Sequence, residues 1–488
     1  MAAFLLLYIL AAIALAVFSL NYLVMAGLYL LRPDKPHAHP LPDQLPRVTV
    51  QLPILNELYV VERLINAAAL LDWPHNRLQI QVLDDSDDET TQIAQKRVEY
   101  LQRQGIAISL IRRRDRSGFK AGALAKGLEQ ATGEFIAIFD ADFVPPPDFL
   151  KQTIPHLLAR PEVGLVQTRW GHLNTQYSPL TRAQAIALDG HFVVEQQARS
   201  AYGLFMNFNG TAGVWRRTCI DQAGGWHDDT LTEDLDLSYR AQLAGWKFLF
   251  LPDVVCPAEL PPQIHAFKRQ QFRWAKGSTQ CLIKLAPRVL TTPGLSLFQR
   301  VEGILHMSGY LMNPLMLILL LTTVPLIATD TQFPPIMLYF TLSILGPIGV
   351  YALSQRALYP DAGIRMLYFP VLMLLGTGLA LSDSMAAFEA MIRKGSSFRR
   401  TPKFSVEQEQ DTWDEKRYRL SLGPEIIAET ILALYALLGI AIAWEHHSYW
   451  AIPFLALYAC GFAFVVALGL WHSRPISRRR RELASASE

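Results

Sequence analysis

The sequence predicts an α/β domain, with a mostly parallel sheet covered by helices, that is inserted into an α-helical transmembrane region. Between residues 33 and 303, short runs rich in β-branched residues alternate with helical patterns, and this order is typical of parallel sheets with helical connections. The chain on either side is strongly apolar and contains segments long enough to cross a bilayer, which takes about 20 residues as a helix. A charged domain is therefore expected between membrane helices.

Composition limits the classes of function. Of the 488 residues, 51% are of the types AVILMFWYC and only 18% are charged, against about 25% in an ordinary soluble domain. The 45 Lys and Arg residues nearly balance the 43 Asp and Glu residues, so the net charge is +2. Neither binding of nucleic acid through bulk positive charge nor a disordered acidic chain is expected. The four cysteines have no paired spacing, which excludes a disulfide framework and a zinc-ligand pattern.

The N-terminal element is predicted to be a membrane helix. Residues 4–31 carry no charge, are longer than the apolar part of a signal peptide and follow no basic segment. Further apolar segments follow the central domain at 304–328, 335–354, 366–385, 426–444 and 450–471. The chain thus divides into six segments. They are an N-terminal transmembrane helix (1–32), the α/β domain (33–285), interfacial and transmembrane helices (286–392), a charged nonhelical insert (393–423), two more transmembrane helices (424–472) and a basic tail (473–488).

Four strands are predicted in the first half of the domain. They cover residues 47–55, 78–83, 106–111 and 135–139, with helices over 60–71 and 90–104. Ligands of such sheets bind beyond the carboxyl ends of the strands. Acidic residues directly follow the second and the fourth strand, so both groups are expected at the ligand edge.

The acidic groups at the strand ends have a functional and a structural explanation. Asp84 and Asp85 precede Ser86, and all three are also good turn formers. Asp140 and Asp142 point to the same side of an extended chain, where two carboxylates and a diphosphate hold Mg²⁺ or Mn²⁺ through oxygens. The alternative for this pair is a solvated strand end.

Two further motifs lie later in the domain. Thr232, Glu233 and Asp234 precede a helical pattern, in which Thr232 suits the N-cap and acids are favourable in the first turn whatever their function. Residues 270–274, Gln-Gln-Phe-Arg-Trp, lie on a basic stretch. Arg suits phosphate oxygens and Trp offers a flat face to a sugar ring, whereas an amphipathic helix on the membrane surface explains the same residues.

The four motifs together, in this order and between membrane spans, resemble the family-2 membrane glycosyltransferases, which include cellulose, hyaluronan, chitin and mannan synthases and the ceramide glucosyltransferases. The stretches 118–124, 165–170, 208–216 and 223–226 are most similar to the mannan and glucomannan synthase-like branch. The resemblance covers residues 46–285 and the insert at 398–403, which is similar to the Phe-x-Val-Thr-x-Lys gating loop of cellulose synthases. Arg400 replaces the Val of that loop, and Leu55 stands where the family usually carries an aromatic residue.

The resemblance implies a GT-A-like fold, a Rossmann-like mixed sheet, and inverting transfer of a hexose from a nucleotide diphosphate to an acceptor hydroxyl. It makes Asp234 the base, in a catalytic motif with Glu233 and Thr232, and makes Asp140 and Asp142 the ligands of a divalent cation, Mg²⁺ or Mn²⁺. The implied donor-binding residues are Glu57, Asp84, Asp85, Lys120, Asp140, Asp142, Gln270, Arg273, Thr401 and Lys403. The implied acceptor-binding residues are Trp274, Asn209 and Gly210.

The resemblance further implies a membrane-embedded β-glycosyltransferase that polymerises hexose from a donor of the UDP-glucose or GDP-mannose class. The product would be a β-1,4-mannan, a glucomannan or a glucan, and translocation coupled to synthesis stays open. One alternative is a glycolipid synthase that transfers one hexose to a lipid. A non-enzyme alternative is a transporter or structural membrane protein that only binds nucleotide sugar. The expected partners are the nucleotide sugar, a glycan or glycolipid acceptor and the lipid bilayer, with no nucleic acid.

The catalytic domain and the insert are both expected on the cytoplasmic side of the plasma (inner) membrane, because nucleotide sugars are made there. An even number of crossings must then separate residues 303 and 393, yet three apolar segments lie between them. The segment 335–354, which Gly346 and Pro347 interrupt, is the expected irregular one. In the insert, Thr401 and Lys403 are expected at the donor diphosphate and Phe398 near the pocket mouth, with a basic loop against lipid headgroups as the alternative.

Overall fold

The computed structural model describes residues 1–33, 39–113, 115–333, 345–392 and 400–474. Its central sheet consists of β1 (Val48–Ile54), β2 (Leu78–Asp84), β3 (Ile108–Arg112), β4 (Phe135–Ile138), β5 (Val163–His172), β6 (Gly213–Arg216) and β7 (Lys247–Ala258). The seven strands lie in the order β3-β2-β1-β4-β6-β5-β7. The four strands predicted from the first half of the domain are confirmed within a few residues.

The sheet is mixed rather than wholly parallel. The pairs β3–β2, β2–β1 and β1–β4 are parallel, and so is β5–β7. Strand β6 is antiparallel to both of its neighbours, β4 and β5. Six strands therefore run in one direction and their carboxyl ends share one edge, while β6 begins at that edge. The predicted GT-A-like mixed sheet is confirmed.

Helices cover both faces of this sheet. The N-terminal helix is α1 (Ala2–Leu31). The helices of the domain are α2 (Val61–Ala69), α3 (Thr90–Arg103), α4 (Phe119–Glu129), α5 (Phe149–Ala159), α6 (Pro179–Asp189), α7 (Gln196–Ala201), α8 (Arg217–Gln222) and α9 (Glu233–Leu243). Ser178 and Thr181 form a capping box that starts α6, and a π-helical turn, Gly190–Glu195, joins α6 to α7. Two apolar clusters form the domain core. One packs Leu64 of α2 and Val98 of α3 on the sheet, and the other packs Leu124 of α4 and Leu237 of α9.

The remaining helices connect the domain to the membrane region. They are α10 (Ile264–Thr291), α11 (Leu297–Ser308), α12 (Met312–Ala328), α13 (Leu345–Leu358), α14 (Ala362–Arg365), α15 (Phe369–Gly378), α16 (Ala380–Ile392), α17 (Glu425–Glu445) and α18 (Ile452–Ser473). Ion pairs attach α10 to two of them, because Lys268 Nζ lies 2.6 Å from Glu429 on α17 and Lys276 Nζ lies 2.9 Å from Glu389 on α16. The motif at 270–274 thus lies on a helix packed between the domain and the spans.

Four helices are long and apolar enough to cross a membrane in the part of the chain that the structure describes: Ala2–Leu31, Leu297–Ala328, Glu425–Glu445 and Tyr449–Ser473. A fifth crossing results if Ala362–Gly378 and Ala380–Ile392, which meet at 43°, form one broken span. The segment predicted to be irregular, 335–354, lies partly outside the described residues. Its described part belongs to α13, a helix of 14 residues. The bend that the structure describes falls in the third apolar segment instead.

Candidate active site

A cavity of about 160 Å³ opens at the edge where the strands end. Five of the six strands that end there supply side chains to it: Glu57 after β1, Asp85 after β2, Asp140 and Asp142 after β4, Trp170 and His172 from β5, and Glu259 after β7. Asn209 and Gly210, just before β6, line the same cavity. Because β6 is antiparallel to its neighbours, it begins at this edge. The residues that precede β6 therefore lie beside the residues that follow the other strands.

Lys120 connects the acidic motifs of this cavity. The side chain stands in the first turn of α4, and its Nζ lies 2.6 Å from Asp140 Oδ1 and 3.7 Å from Glu233 Oε1, while it donates a 2.9 Å hydrogen bond to the carbonyl of Gly210. Burial opposes its charge, but Asp140 and Glu233 outweigh burial and raise the pKa of Lys120. Lys120 is therefore a fixed cation between the Asp-x-Asp and Thr-Glu-Asp motifs.

Asp234 lies in the first turn of α9, as predicted, and lines the cavity. Its Oδ1 accepts a 2.8 Å hydrogen bond from the backbone N–H of Leu235. Burial and the neighbouring charge of Glu233 raise the pKa of Asp234 to about 7, and Lys120 limits the rise. A carboxyl group with a pKa near the working pH is well suited to accept a proton from a hydroxyl.

Gly210 is required by this arrangement. Its φ is +82°, and a Cβ at this position would lie 2.9 Å from Asp234 Oδ2 and 3.3 Å from Lys120 Nζ. Any larger residue would be strained in its backbone and would displace the two charged groups.

Helix α10 holds the Thr-Glu-Asp motif from the membrane side. Thr232 occupies the N-cap position of α9, but its hydroxyl does not cap the helix and lies 3.4 Å from Cys281 Sγ on α10. Gly277 on the same helix faces Thr232 so closely that a Cβ would lie 2.5 Å from Thr232 Cγ2 and 2.8 Å from its backbone nitrogen. The close contact of α10 with Thr232 therefore fixes the position of the motif.

We expect Gly277→Ala to lower turnover by about 10²-fold. The added methyl group must push α10 away from Thr232, and this movement displaces Asp234 by up to about 1 Å. The cost in stability should be smaller, about 1–3 kcal/mol for overpacking, partly offset by the better helix propensity of Ala. Steady-state rates and thermal unfolding in detergent check this. Gly349→Ala is the matched control, since nothing lies within 4 Å of a Cβ there. Equal rates for both variants would contradict the prediction.

The two adjacent aspartates after β2 have separate environments. Asp85 lines the cavity and pairs with Arg113, whose Nε lies 2.8 Å from Asp85 Oδ1. Asp84 is fully buried behind it and accepts hydrogen bonds from the Ser86 N–H and the Thr91 hydroxyl. Asp84 is absent from the described lining of the cavity, so its contacts support the alternative of turn formation over the predicted donor binding.

The insert after α16 reaches this cavity. Arg400, Thr401 and Lys403 belong to its lining, and Lys403 Nζ lies 2.5 Å from Asp142 Oδ2. The backbone N–H groups of Phe404 and Ser405 donate hydrogen bonds of 2.9 and 2.8 Å to the Glu259 carboxylate. The described part, from residue 400, is nonhelical as predicted, whereas Phe398 lies outside the described residues.

The Asp-x-Asp pair fits a divalent cation. Asp140 and Asp142 line one cavity, and each carboxylate already binds a cationic side chain, Lys120 and Lys403 respectively. Carboxylate oxygens of this kind are the ligands that Mg²⁺ and Mn²⁺ prefer.

Another group of possible ligands, His227, Asp229 and Asp236, lies at the start of α9. The Nζ atom of Lys284 lies 2.7 Å from both Asp229 and Asp236, so this lysine already provides a positive charge to the two carboxylates.

A second cavity, of about 660 Å³, continues from the first into the membrane region. The residues that line both cavities are Trp170, Leu188, Asn209, Thr232, Asp234, Gln270 and Trp274. Its far walls come from membrane helices, including Asn21 of α1, Asn313 of α12 and Tyr351 of α13. Asp234 and Trp274 thus lie at the junction of the first cavity and a passage between the spans.

The predicted site residues are largely brought together. Glu57, Lys120, Glu233, Gln270 and Arg273 line the first cavity. The remaining predicted residues that line it are Asp85, Asp140, Asp142, Asn209, Gly210, Thr232, Asp234, Trp274, Thr401 and Lys403.

Sequence reasoning missed Arg113, His172 and Glu259. The sequence carried a signal for one of the three, because His172 closely follows the stretch 165–170 that resembles the mannan synthase-like branch. His172 Nε2 lies 3.0 Å from Asp189 Oδ1, which fixes its ring at the cavity wall.

Residues 46–277 match a protein family described as glycosyltransferase like family 2. A probable glucomannan 4-beta-mannosyltransferase 7 of Oryza sativa subsp. japonica is 48% identical over 261 residues, which is 53% of this chain and 45% of that protein. Glucomannan 4-beta-mannosyltransferase 2 of Arabidopsis thaliana is 42% identical over 291 residues, which is 57% of this chain and 54% of that protein. The chain spans about half the length of these relatives.

Among solved structures, the mannosyltransferase PcManGT from Pyrobaculum calidifontis, in complex with GDP-Man and Mn²⁺, has a similar fold. The TM-score is 0.56 at 22% sequence identity, over 80% of this chain and 99% of that one. The motifs, the mixed sheet and these similarities agree: the chain contains a glycosyltransferase family 2 domain at residues 46–277.

Proposed function

We propose that this protein is a membrane-embedded, inverting β-glycosyltransferase that polymerises a nucleotide-activated hexose into a β-glycan, with β-1,4-mannan or glucomannan as the first candidate product. The observation that carries the proposal is the place of Asp234, which lines both the first cavity and the passage between the membrane helices. The similarity to glucomannan 4-beta-mannosyltransferases favours a mannosyl donor of the GDP-mannose class over UDP-glucose.

In the proposed reaction, Asp234 takes the proton of the acceptor hydroxyl as that oxygen attacks the anomeric carbon from the side opposite the diphosphate. Lys120 favours the ionised form of Asp234 and, with Arg273 and Gln270, contributes positive charge and hydrogen-bond donors to the wall of the donor pocket. Trp274 offers its ring to the acceptor sugar at the junction of the two cavities. Asp140 and Asp142 would hold the divalent cation, which when bound neutralises charge on the leaving diphosphate.

The second cavity favours a polymer over a single transfer to lipid. At about 660 Å³ it has room for several sugar units, and its walls combine aromatic rings with polar groups such as Asn21, Asn313 and Gln271. A chain leaving Asp234 along this passage would be led between the spans, which is the geometry that synthesis coupled to translocation needs.

The test uses the full chain in proteoliposomes with radiolabelled GDP-mannose, UDP-glucose and UDP-N-acetylglucosamine, each with and without Mn²⁺. Alcohol-insoluble product that a β-1,4-mannanase digests is expected from GDP-mannose. Label that partitions into organic solvent supports the glycolipid alternative. Binding of nucleotide sugar without transfer from any donor supports the non-enzyme alternative and overturns the proposal.

We further propose that the family-2 domain and the insert lie on the cytoplasmic side of the plasma (inner) membrane. The described candidate spans after residue 297 support this, since Leu297–Ala328 and the bent pair ending at Ile392 give two crossings before the insert. Labelling of a cysteine introduced at Arg417, in the insert, should occur from the same side as one introduced at Lys126, in the domain. Labelling from opposite sides would refute this topology.

Asp142→Asn is expected to weaken metal-dependent donor binding by about tenfold or more while leaving the fold intact, because it removes one charge from the pair of cation ligands. Titration of GDP-mannose affinity against Mn²⁺ concentration measures the effect. Asp148→Asn is a suitable control, since this residue follows the same strand but only accepts a hydrogen bond from Gln152 on the surface. An unchanged metal dependence would remove Asp142 from the metal site.

A further inference from the structure

The described part of the insert is a packed element, not a free loop. Phe404, Val406 and Trp413 are almost fully buried in a small apolar cluster with Tyr177 and Tyr418. The insert therefore packs against the domain through an apolar cluster that includes Tyr177.

Arg400 stands at the start of this packed segment and contacts the catalytic domain. Its Nη1 lies 3.0 Å from Glu57 Oε2, just after β1, and its guanidinium carbon lies 4.1 Å from the centre of the Tyr418 ring. The Tyr418 hydroxyl in turn donates a hydrogen bond to Asp88. Arg400 is thus held between the end of a strand and an aromatic ring that is itself fixed to the domain.

The pair is largely shielded from water, with side-chain exposure of 14% for Arg400 and 10% for Glu57. Burial raises the pKa of Glu57, and the charge of Arg400 is the largest influence that opposes the rise. A buried carboxylate whose partner is removed is strongly destabilised, so the pair links the position of the insert to the charge at the end of β1.

The residues after Arg400 are the ones that line the cavity. Thr401 is 4% exposed, and its hydroxyl has no hydrogen-bond partner among the described residues. Lys403 places its ammonium on Asp142, which lies in the proposed metal site. A buried hydroxyl without a partner is costly unless a ligand supplies one. Both groups are thus poised to bind a ligand within a few residues of the Arg400 anchor.

We propose that Arg400 is a positioning residue for sugar transfer, whose ion pair with Glu57 anchors the insert so that the Thr401 hydroxyl and the Lys403 ammonium face a bound diphosphate. The proposal rests on the proposed function, because it assumes a nucleotide diphosphate donor in the first cavity. An apolar residue at position 400 cannot form this anchor, so the substitution of Val by Arg gives this chain its own way of fixing the insert.

The first measurement is the kinetics of the full chain in nanodiscs with GDP-mannose and Mn²⁺. Arg400→Ala should lower kcat for transfer about tenfold and raise several-fold the share of donor lost to hydrolysis, since a displaced insert admits water and no longer orients the diphosphate. Arg400→Lys, which keeps the charge, should recover most of kcat. Arg417→Ala is the matched control, because Arg417 lies in the same insert and pairs with Glu89, but both side chains are more than half exposed and outside the cavity.

The second measurement does not depend on catalysis. Chymotrypsin should cleave after Phe404 or Trp413 several-fold faster in Arg400→Ala than in the wild-type protein or in Arg417→Ala, because these two side chains are buried only while the insert is anchored. Unchanged cleavage, or unchanged kcat and hydrolysis in an active enzyme, overturns the role of Arg400 and leaves the proposed function standing. Faster cleavage in a protein that transfers no sugar supports the anchor and overturns the proposed function.

Discussion

Replacing Asp234 by Asn is expected to lower the turnover of sugar transfer by about 10²- to 10⁴-fold while the donor still binds. The substitution keeps the size of the side chain and its hydrogen bond from Leu235 N–H but removes the group that takes the proton. Donor binding should persist because the basic side chains that line the cavity, including Lys120 and Arg273, are unchanged. Single-turnover transfer rates and equilibrium binding of GDP-mannose separate the two effects.

Asp229→Asn provides the control for charge in the same region of the chain. Asp229 pairs with Lys284 at the surface, and its side chain is 57% exposed, so its loss should leave turnover within about twofold of the wild-type protein. Full activity of Asp234→Asn, or equal loss in both variants, would rule out Asp234 as the base.

Lys120→Met is expected to shift the acidic side of the pH–rate profile upward by about one pH unit or more. Asp234 acts in its ionised form, and its pKa is already raised to about 7, so kcat/KM must fall as the pH falls through that value. Lys120 opposes this rise, and without its charge the carboxyl group of Asp234 stays protonated to higher pH. Activity should then be low at pH 7 and recover in part at pH 8 to 9.

Lys126→Met tests whether any lysine of α4 has this effect. Lys126 stands on the same helix but pairs with Glu129 at the surface, so its removal should leave the profile in place. A Lys120→Met profile that is lowered uniformly, with no displacement along the pH axis, would contradict the electrostatic coupling and leave Lys120 a role in donor binding alone.

The local pattern of the sequence determined much of this protein. Strands buried on both faces are rich in apolar and β-branched residues, so β1, β2 and β4 could be predicted from the sequence, together with the acidic residues at or just after the ends of β2 and β4. The carboxyl ends of parallel strands share an edge by geometry alone, so the sequence predicts Asp85, Asp140 and Asp142 at one ligand edge, where all three line the same cavity.

The second half of the sheet was less predictable. The antiparallel strand β6 has four residues, and its pairing with β4 and β5 is decided by partners up to 81 positions away in the chain rather than by its own composition. The residues that β5 and β7 bring to the cavity, His172 and Glu259, were therefore not assigned. Similarly, the pairing of Asp85 with Arg113 depends on the side-by-side packing of β2 and β3, which no short motif encodes.

Only the tertiary structure decided how the charges meet. Lys120 was placed by its motif near phosphates, but its contact with both acidic motifs follows from the packing of α4 against the strand ends. Lys403 and Asp142 are 261 positions apart, and three apolar segments separate them, so their contact depends on how the membrane helices return the chain to the domain. Sequence periodicity reports which side of an element is buried, because that preference is local. It cannot report which distant charge will lie opposite, because that is set by the packing of whole elements against each other.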